Sequence, residues 1–463
     1  VAESPTWAPW FDYTGVQLTW ILGGYGFVAA VLPVWLLLAP RDYLSTFLKI
    51  GTIVGLAIGI LIMRPTLTMP ALTKFVDGTG PVWTGNLFPF LFITIACGAV
   101  SGFHALISSG TTPKMLANES QACFIGYGGM LMESFVAIMA LVAACIIDPG
   151  VYFAMNSPMA VLAPAGTTDV VASAAQVVSG WGFSITPDTL HQIASEVGEQ
   201  SIISRAGGAP TLAVGMAYIL HGSLGGLMDV SFWYHFAILF EALFILTAVD
   251  AGTRAARFML QDLLGVISPG LKKTSSLPAN LLATALCVLA WGYFLHQGVV
   301  DPLGGINTLW PLFGIANQML AGMALMLCAV VLFKMKRQRY AWVALLPTSW
   351  LLICTLTAGW QKSFSPDTKV GFLAIANKFQ AMIDSGNIPP QYTESQLAQL
   401  VFNNRLDAGL TIFFMIVVVV LALFSIKTAL AALKEDKPTA KETPYEPMPE
   451  NLDAIETQAK GAH

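Results

Sequence analysis

Long uncharged runs, separated by short polar segments, dominate the sequence. An α-helix needs about 20 consecutive and mostly apolar residues to cross the hydrocarbon of a bilayer, and windows of this kind recur along the chain. No series of strand-length segments with alternating apolar and polar positions recurs, which argues against an outer-membrane barrel. The pattern predicts an all-α polytopic membrane protein with about nine transmembrane helices, at residues 17–39, 46–63, 88–109, 122–147, 231–250, 280–297, 308–333, 341–359 and 410–432.

A tenth apolar stretch, residues 211–228, is interrupted by His221, Gly222 and a pair of glycines. Counting it as a full span would spoil the distribution of basic residues on the two sides of the membrane. We therefore interpret it as a broken or re-entrant segment. Two long loops remain, at 149–210 and 360–409, and both contain polar stretches with a helical pattern.

Basic residues predict the orientation, because cytoplasmic loops of membrane proteins carry an excess of Lys and Arg. Placing the C-terminus in the cytoplasm puts most of the 23 Lys and Arg inside, including the run KMKRQR at 334–339. The two long loops then face outside. We expect a transmembrane domain at 1–432 and a disordered cytoplasmic tail at 433–463, where prolines and mixed charge do not support a packed core.

Nine spans and a cytoplasmic C-terminus place Val1 outside, and no signal peptide precedes the first span. A membrane protein rarely begins in this way. We therefore expect further helices ahead of Val1 in the parent protein.

Composition excludes several classes of protein. Only 11% of the residues are charged, against about 25% in soluble proteins, so a cytosolic enzyme is excluded. The net charge of −4 offers no basic surface for nucleic acid.

The six cysteines lack metal-ligand spacing such as CxxC, and we expect packing roles and no metal. No GxSxG, HExxH or Walker A motif is present, so we expect no enzymatic activity and no ATP-driven transport.

The most unusual apolar run is 88–113, FPFLFITIACGAVSGFHALISSGTTP. Its polar residues recur at steps of three and four and would share one helix face. Gly98 and Gly102 permit the close approach of another helix, and we expect the terminal SSGTT, 108–112, to unwind and offer backbone groups to a substrate. The alternative is a packing seam whose hydroxyls bond to their own backbone. The stripe consists of Thr94, Cys97, Ser101, His104, Ser108 and Thr111, of which the last four are candidates for substrate binding.

Two carboxylates lie in the middle of predicted spans, where an ionisable group is costly and usually functional. Glu133 shares a face with Gly126, Gly129 and Ala137. These small residues predict tight packing, so we expect Glu133 to point into the protein and to carry a coupling proton. Glu241 lies among bulky residues and is the second candidate for proton coupling. For both, the alternative is a carboxyl group that only hydrogen-bonds a neighbouring helix.

Three further polar residues interrupt apolar segments. His221 lies in the interrupted stretch 211–228, and Asn317 and Gln318 lie in LWPLFGIANQMLA, 309–321. We expect a kink in this last segment, with both amides facing the substrate, and we add all three residues to the candidates for substrate binding. The alternative for His221 is a structural role. Asp250 has Arg254 four residues later, which predicts a salt bridge along one helix.

Several of these segments resemble the carbon starvation protein A (CstA) family. The resemblance implies a bacterial inner-membrane importer that is induced when carbon runs short. It implies peptides or pyruvate as substrates, a proton as the coupling ion and no cofactor. More loosely, it implies a fold of inverted helix repeats around two broken helices, as in LeuT-like transporters. The segments that carry it are 88–114, 126–144, 207–217, 240–265 and 309–321.

A second hypothesis comes from another class of protein. A membrane sensor or scaffold would bind a nutrient and signal through its tail without transport. The short tail has no folded output domain, which favours the transporter. The predicted partners are therefore a small-molecule substrate and the lipid bilayer, without nucleic acid. The sequence leaves open the oligomeric state and the choice between peptide and pyruvate.

Overall fold

The computed structural model describes residues 6–98, 100–164, 166–274, 276–301, 304–390 and 392–441. All regular secondary structure within these ranges is helical, which agrees with the prediction of an all-α polytopic membrane protein. In the part of the chain that the structure describes, seven helices are long and apolar enough to cross a membrane: Leu38–Met63, Gln121–Cys145, Val230–Ile267, Leu277–Val300, Leu309–Lys334, Trp342–Phe364 and Glu394–Lys434.

The α-helices are numbered in chain order. They are α1 (Gly15–Val31), α2 (Leu38–Met63), α3 (Leu87–Ile95), α4 (Gly102–Gly110), α5 (Gln121–Cys145), α6 (Pro149–Asn156), α7 (Met159–Leu162), α8 (Val170–Gly180), α9 (Pro187–Glu196), α10 (Gly208–Ser223), α11 (Val230–Ile267), α12 (Leu277–Val300), α13 (Gly305–Lys334), α14 (Trp342–Phe364), α15 (Phe372–Asp384) and α16 (Glu394–Lys434).

The first predicted span, 17–39, is divided between two helices. α1 ends at Val31, and Leu32 has extended backbone angles (φ −62°, ψ 149°). The cause is Pro33, because a residue before proline is disfavoured in the helical region. α2 then begins at Leu38, well before the predicted start at 46, and includes Arg41.

The stretch predicted to be broken or re-entrant, 211–228, is helical as far as Ser223 and leaves the helix before Gly225. α10 runs through His221 and Gly222 and ends at Ser223. The chain then reverses into α11 at Gly225 and Gly226, whose positive φ angles of 63° and 77° favour glycine. A helix of 16 residues is about 24 Å long and falls short of the bilayer core of about 30 Å. Residues 213–217 are all buried, so α10 is a short interior helix.

Both long loops fold into helices. Residues 149–210 contain α6 to α9, and their apolar side chains join a core that continues into α10 and α11. In the second loop, α15 packs against the first part of α16. α16 has 41 residues and is about 60 Å long. The polar stretch at 393–404 is therefore the beginning of the last membrane helix and not a separate loop helix. A capping box formed by Thr393 and Gln396 starts it.

The basic run 334–339 lies beside the end of α16. Lys336 Nζ donates to the carbonyl of Ala432 at 2.7 Å, and the N–H of Thr439 donates to the carbonyl of Lys334 at 3.0 Å. The ends of α13 and α16 are therefore on the same side of the protein. Of the predicted disordered tail, residues 442–463 lie outside the described ranges.

A buried ion pair joins α2 to α11. Asp250 is only 1% exposed, and its Oδ2 lies 2.5 Å from Nη1 of Arg41. The hydroxyl of Tyr25, on α1, donates to the same carboxylate oxygen at 3.0 Å. The predicted salt bridge between Asp250 and Arg254 is therefore replaced by an ion pair between helices.

Two arginines of α11 cap the end of α1. Arg254 donates to the carbonyls of Ala29 and Leu32, each at 2.7 Å, and Arg257 donates to Ala30 at 2.7 Å. The last carbonyls of a helix have no partner within it, and a cation is favoured at this negative end. Arg254 therefore stabilises the end of another helix rather than Asp250.

The Asp250→Asn substitution should destabilise the fold, because it leaves the Arg41 guanidinium without its buried counter-charge. Breaking such a pair costs about 3 kcal/mol. We expect a clearly lower midpoint of thermal unfolding for the purified protein in detergent, measured by intrinsic fluorescence. Asp262→Asn is the matched control, since Asp262 is exposed on the same helix. Equal midpoints for the two variants would show that this ion pair does not contribute to the stability of the fold.

Candidate functional site

The helix predicted at 88–109 is interrupted in its middle. α3 ends at Ile95, and a 3-10 turn, Ala96–Gly98, follows. Ser101 is extended (φ −115°, ψ 120°), and α4 begins at Gly102. Of the expected unwinding at 108–112, only the end is seen, because α4 stays helical to Gly110 and a 3-10 turn, Thr112–Lys114, follows. The interruption also means that the polar stripe does not share a single helix face.

Two amide side chains of α13 hydrogen-bond the two sides of this break. Oδ1 of Asn317 accepts from the backbone N–H of Phe103 at 2.8 Å and from the Ser101 hydroxyl at 3.4 Å. Nε2 of Gln318 donates to the carbonyl of Phe92 at 2.8 Å. Lipid offers no hydrogen bonds to such backbone groups, so these buried amides stabilise the interruption.

Each of these two amide side chains also has one polar atom without a hydrogen bond. Nδ2 of Asn317 and Oε1 of Gln318 are buried and have no hydrogen-bond partner within the described ranges. Their predicted contact with substrate therefore stays a prediction, beside the positioning role that the geometry gives them. α13 remains helical through Pro311, where we expected a kink.

Gly102 brings α4 into close contact with α13. A Cβ atom at this position would lie 2.7 Å from the backbone nitrogen of Ala321 and 2.5 Å from Cβ of Leu320. A Cβ at Gly98 would lie 3.0 Å from Cβ of Ala137, on α5. Both glycines thus permit the close helix approach that their spacing predicts.

Three polar side chains meet beside the break. Nε2 of His104 lies 3.8 Å from Oε2 of Glu133, and Nδ1 of His104 lies 4.0 Å from Sγ of Cys97. The ligand atoms of the three residues all lie within 4.8 Å of one another. A thiolate, an imidazole and a carboxylate could hold a transition metal such as zinc, and the same groups could exchange a proton.

The surface around Glu133 is more open than expected. A Cβ atom at Gly126 or Gly129 would have no neighbour within 4 Å, so the predicted tight packing is wrong for the first half of α5. Only the second half packs, where Ala137 meets Gly98. Glu133 lies between the two halves with 38% of its side chain exposed, and it faces His104 on α4.

The remaining hydroxyls of the stripe bond to their own helix. Ser108 donates to the carbonyl of Ala105 at 3.0 Å, and Thr111 donates to that of Ile107 at 3.4 Å. This arrangement matches the alternative interpretation of the stripe. Within the described ranges, no hydrogen bond connects either hydroxyl to His104 or Glu133.

His221 and Glu241 lie in other parts of the structure. Nδ1 of His221 is 2.7 Å from the carbonyl of Met228, across the turn between α10 and α11. Glu241 is partly buried on α11, and its carboxyl group has no hydrogen bond or ion pair with the described part of the chain. The structure does not bring these two residues together with the break, and their predicted roles stay predictions.

Lys362 is a buried cation that the sequence did not single out. It is 5% exposed, and its ammonium lies 5.3 Å from the ring centres of Trp83 and Phe90 and 5.9 Å from that of Phe372. These are cation–π distances. Because Phe90 belongs to α3, Lys362 holds the first half of the broken helix. Trp83 and Phe90 lie more than 270 positions from Lys362 in the sequence, so no local pattern indicates these contacts.

Comparisons with known proteins agree on one family. The family model for carbon starvation protein CstA matches residues 1–358. Peptide transporter CstA of Escherichia coli K12 is 94% identical over 463 residues, which are 100% of the chain and 66% of that protein. The pyruvate/proton symporter BtsT of the same organism is 58% identical over 97% of the chain and 65% of its own length.

A third relative, peptide transporter CstA of Helicobacter pylori, is 51% identical over 96% of the chain and 65% of its own length. The chain thus spans just under two thirds of the length of these relatives. No solved structure matches it.

The Gly102→Ala substitution should disrupt the contact between α4 and α13, because the added methyl group meets backbone atoms that cannot move aside. Overpacking of this kind costs about 1–3 kcal/mol. We expect a lower thermal unfolding midpoint in detergent. Gly128→Ala, where a Cβ meets nothing within 4 Å, is the control and should leave the midpoint unchanged. A normal midpoint for Gly102→Ala would show that the two helices are not tightly packed at the break.

Proposed function

The chain belongs to the carbon starvation protein CstA family, and from this premise we propose that it acts as a secondary transporter. It imports pyruvate or peptides with protons across the bacterial inner membrane when carbon is scarce. The observation that carries the proposal is the break between α3 and α4, inside a long apolar run, with a histidine–glutamate pair beside it. The names of the relatives support transport of peptides or of pyruvate with protons.

The substrate carboxylate is proposed to bind at the start of α4. The N-terminal end of a helix carries unpaired N–H groups and partial positive charge, which favour an anion. Nδ2 of Asn317, whose Oδ1 accepts from the Phe103 N–H at this end, has no partner within the described ranges and is proposed as a further donor. Pyruvate and a peptide both carry a carboxylate, so one site of this kind suits either substrate.

The coupling proton is proposed to bind at Glu133. A carboxylate beside an imidazole can take up a proton from one side and pass it on. His104 lies between Glu133 and Cys97 and follows the break by only three residues. Occupancy of the carboxylate site would therefore influence the charge on Glu133. Glu241 remains the second candidate for this role.

The break between α3 and α4 also supports an inverted-repeat fold. Inverted-repeat transporters of the LeuT type build their sites from interrupted helices, and we propose that the chain forms part of such a fold. A cytoplasmic C-terminus is part of the proposal, and the basic run 334–339 with its contact to the end of α16 supports it. A sensor, scaffold or enzyme is less well supported, because the relatives are named as transporters.

Uptake by proteoliposomes containing the full-length protein tests the transport proposal. Import of one pyruvate with one proton is electroneutral, so a pH gradient alone should drive it, at about 1.4 kcal/mol per pH unit. Import of a neutral dipeptide with a proton carries charge and should also respond to voltage, at about 2.3 kcal/mol per charge per 100 mV. Labelled pyruvate and a labelled dipeptide are compared under each gradient separately. Absence of uptake under both gradients would contradict the proposal and favour the sensor.

The Glu133→Gln substitution should abolish accumulation while leaving the protein folded. Glutamine keeps the size and hydrogen bonds of a protonated glutamate but cannot release a proton. We expect exchange of labelled for unlabelled substrate to persist and gradient-driven accumulation to disappear. Glu119→Gln, at an exposed position before α5, is the control. Wild-type accumulation ratios in Glu133→Gln would refute its role in coupling.

A further inference from the structure

A small cavity lies between the end of α12 and the first half of α16. Its volume is about 10 Å³, the space of one water-sized sphere. Its polar lining consists of Gln297, Asp301, Asn403 and Asp407. The cavity is separate from the break in α3 and α4, and none of these residues takes part in the transport proposal.

Two hydrogen-bonded pairs connect the helices beside this cavity. Nε2 of Gln399 donates to Oε1 of Gln297 at 3.0 Å. One turn further along both helices, Nδ2 of Asn403 donates to Oδ2 of Asp301 at 2.9 Å. Asp407 is the next position on the same face of α16. α12 ends at Val300, so it offers no residue one turn further on to pair with Asp407.

The carboxylate of Asp407 is left without a hydrogen-bond partner on one of its oxygens. It is 2% exposed, and its Oδ2 is buried without a hydrogen-bond partner within the described ranges. Asp301, on the same cavity, is 7% exposed. No ion pair connects Asp407 to a lysine or arginine in the described part of the chain, and Arg405 nearby is exposed. Burying a carboxylate without a counter-charge is very unfavourable.

We propose that this cavity binds one small hard cation, of the Na⁺ or Ca²⁺ type. Carboxylate oxygens of Asp301 and Asp407 and the amide oxygen of Asn403 supply the oxygen ligands that such ions prefer. A proton on Asp407 would need no space, whereas the cavity has room for one ion. The bound cation fixes the end of α12 against α16 and so stabilises this end of the structure.

Thermal unfolding of the purified full-length protein in detergent tests the cation site. NaCl or CaCl₂ is titrated at constant ionic strength against choline chloride. We expect a saturable rise of the unfolding midpoint with one of the two ions. Asp407→Asn and Asp301→Asn should each raise the half-saturating concentration about tenfold or more, as loss of a charged ligand requires. Glu394→Gln, an exposed carboxylate at the start of α16, should leave it unchanged.

Three results would overturn the proposal. The first is that the unfolding midpoint of the wild type changes equally with NaCl, CaCl₂ and choline chloride. The second is a cation-dependent rise that both aspartate substitutions leave intact. The third is stabilisation by Asp407→Asn without any dependence on cations, which would identify Asp407 as a protonated carboxyl group. If Asp407→Asn does not fold, the wild-type titration and Asp301→Asn decide between these results.

Discussion

Backbone hydrogen bonding inside the membrane is the constraint on which the proposed site depends. An interrupted helix exposes N–H and C=O groups that lipid cannot satisfy, so the protein must supply their partners. Asn317 and Gln318 do so from a single neighbouring helix. Gly102 makes this possible, because a side chain there would push α4 away from α13. On the other half of the broken helix, Phe90 packs against the buried ammonium of Lys362.

The break places the titratable residues together. His104 lies on the first turn of α4, and its ring reaches Glu133 on α5 and Cys97 before the break. A movement of α4 relative to α13 would therefore change the donors offered to a carboxylate and the distance from His104 to Glu133 at the same time. In the proposed transporter, this shared dependence would couple substrate binding to the coupling proton. It needs no contact between the substrate and Glu133 itself.

The sequence predicted the all-helical membrane class, an interruption within 88–113 and the close helix contacts at Gly98 and Gly102, but not the open surface at Gly126 and Gly129. It did not predict where the interruption lies, because Asn317 and Gln318 are more than 200 positions away from the backbone groups that they satisfy. Asp250 was assigned a neighbour in its own helix, but the chain folds to bring it Arg41. Asp407 was overlooked because the extended α16 buries a segment that its sequence pattern assigns to a loop.

Protection of Cys97 from alkylation tests most directly whether substrate binds beside the break. The full-length protein is treated with a maleimide with and without pyruvate or a dipeptide, and modification of each cysteine is quantified by mass spectrometry. We predict that the transported substrate slows modification of Cys97, while exposed Cys123 on α5 reacts at an unchanged rate. Equal modification of Cys97 at substrate concentrations that saturate uptake would contradict the location of the site.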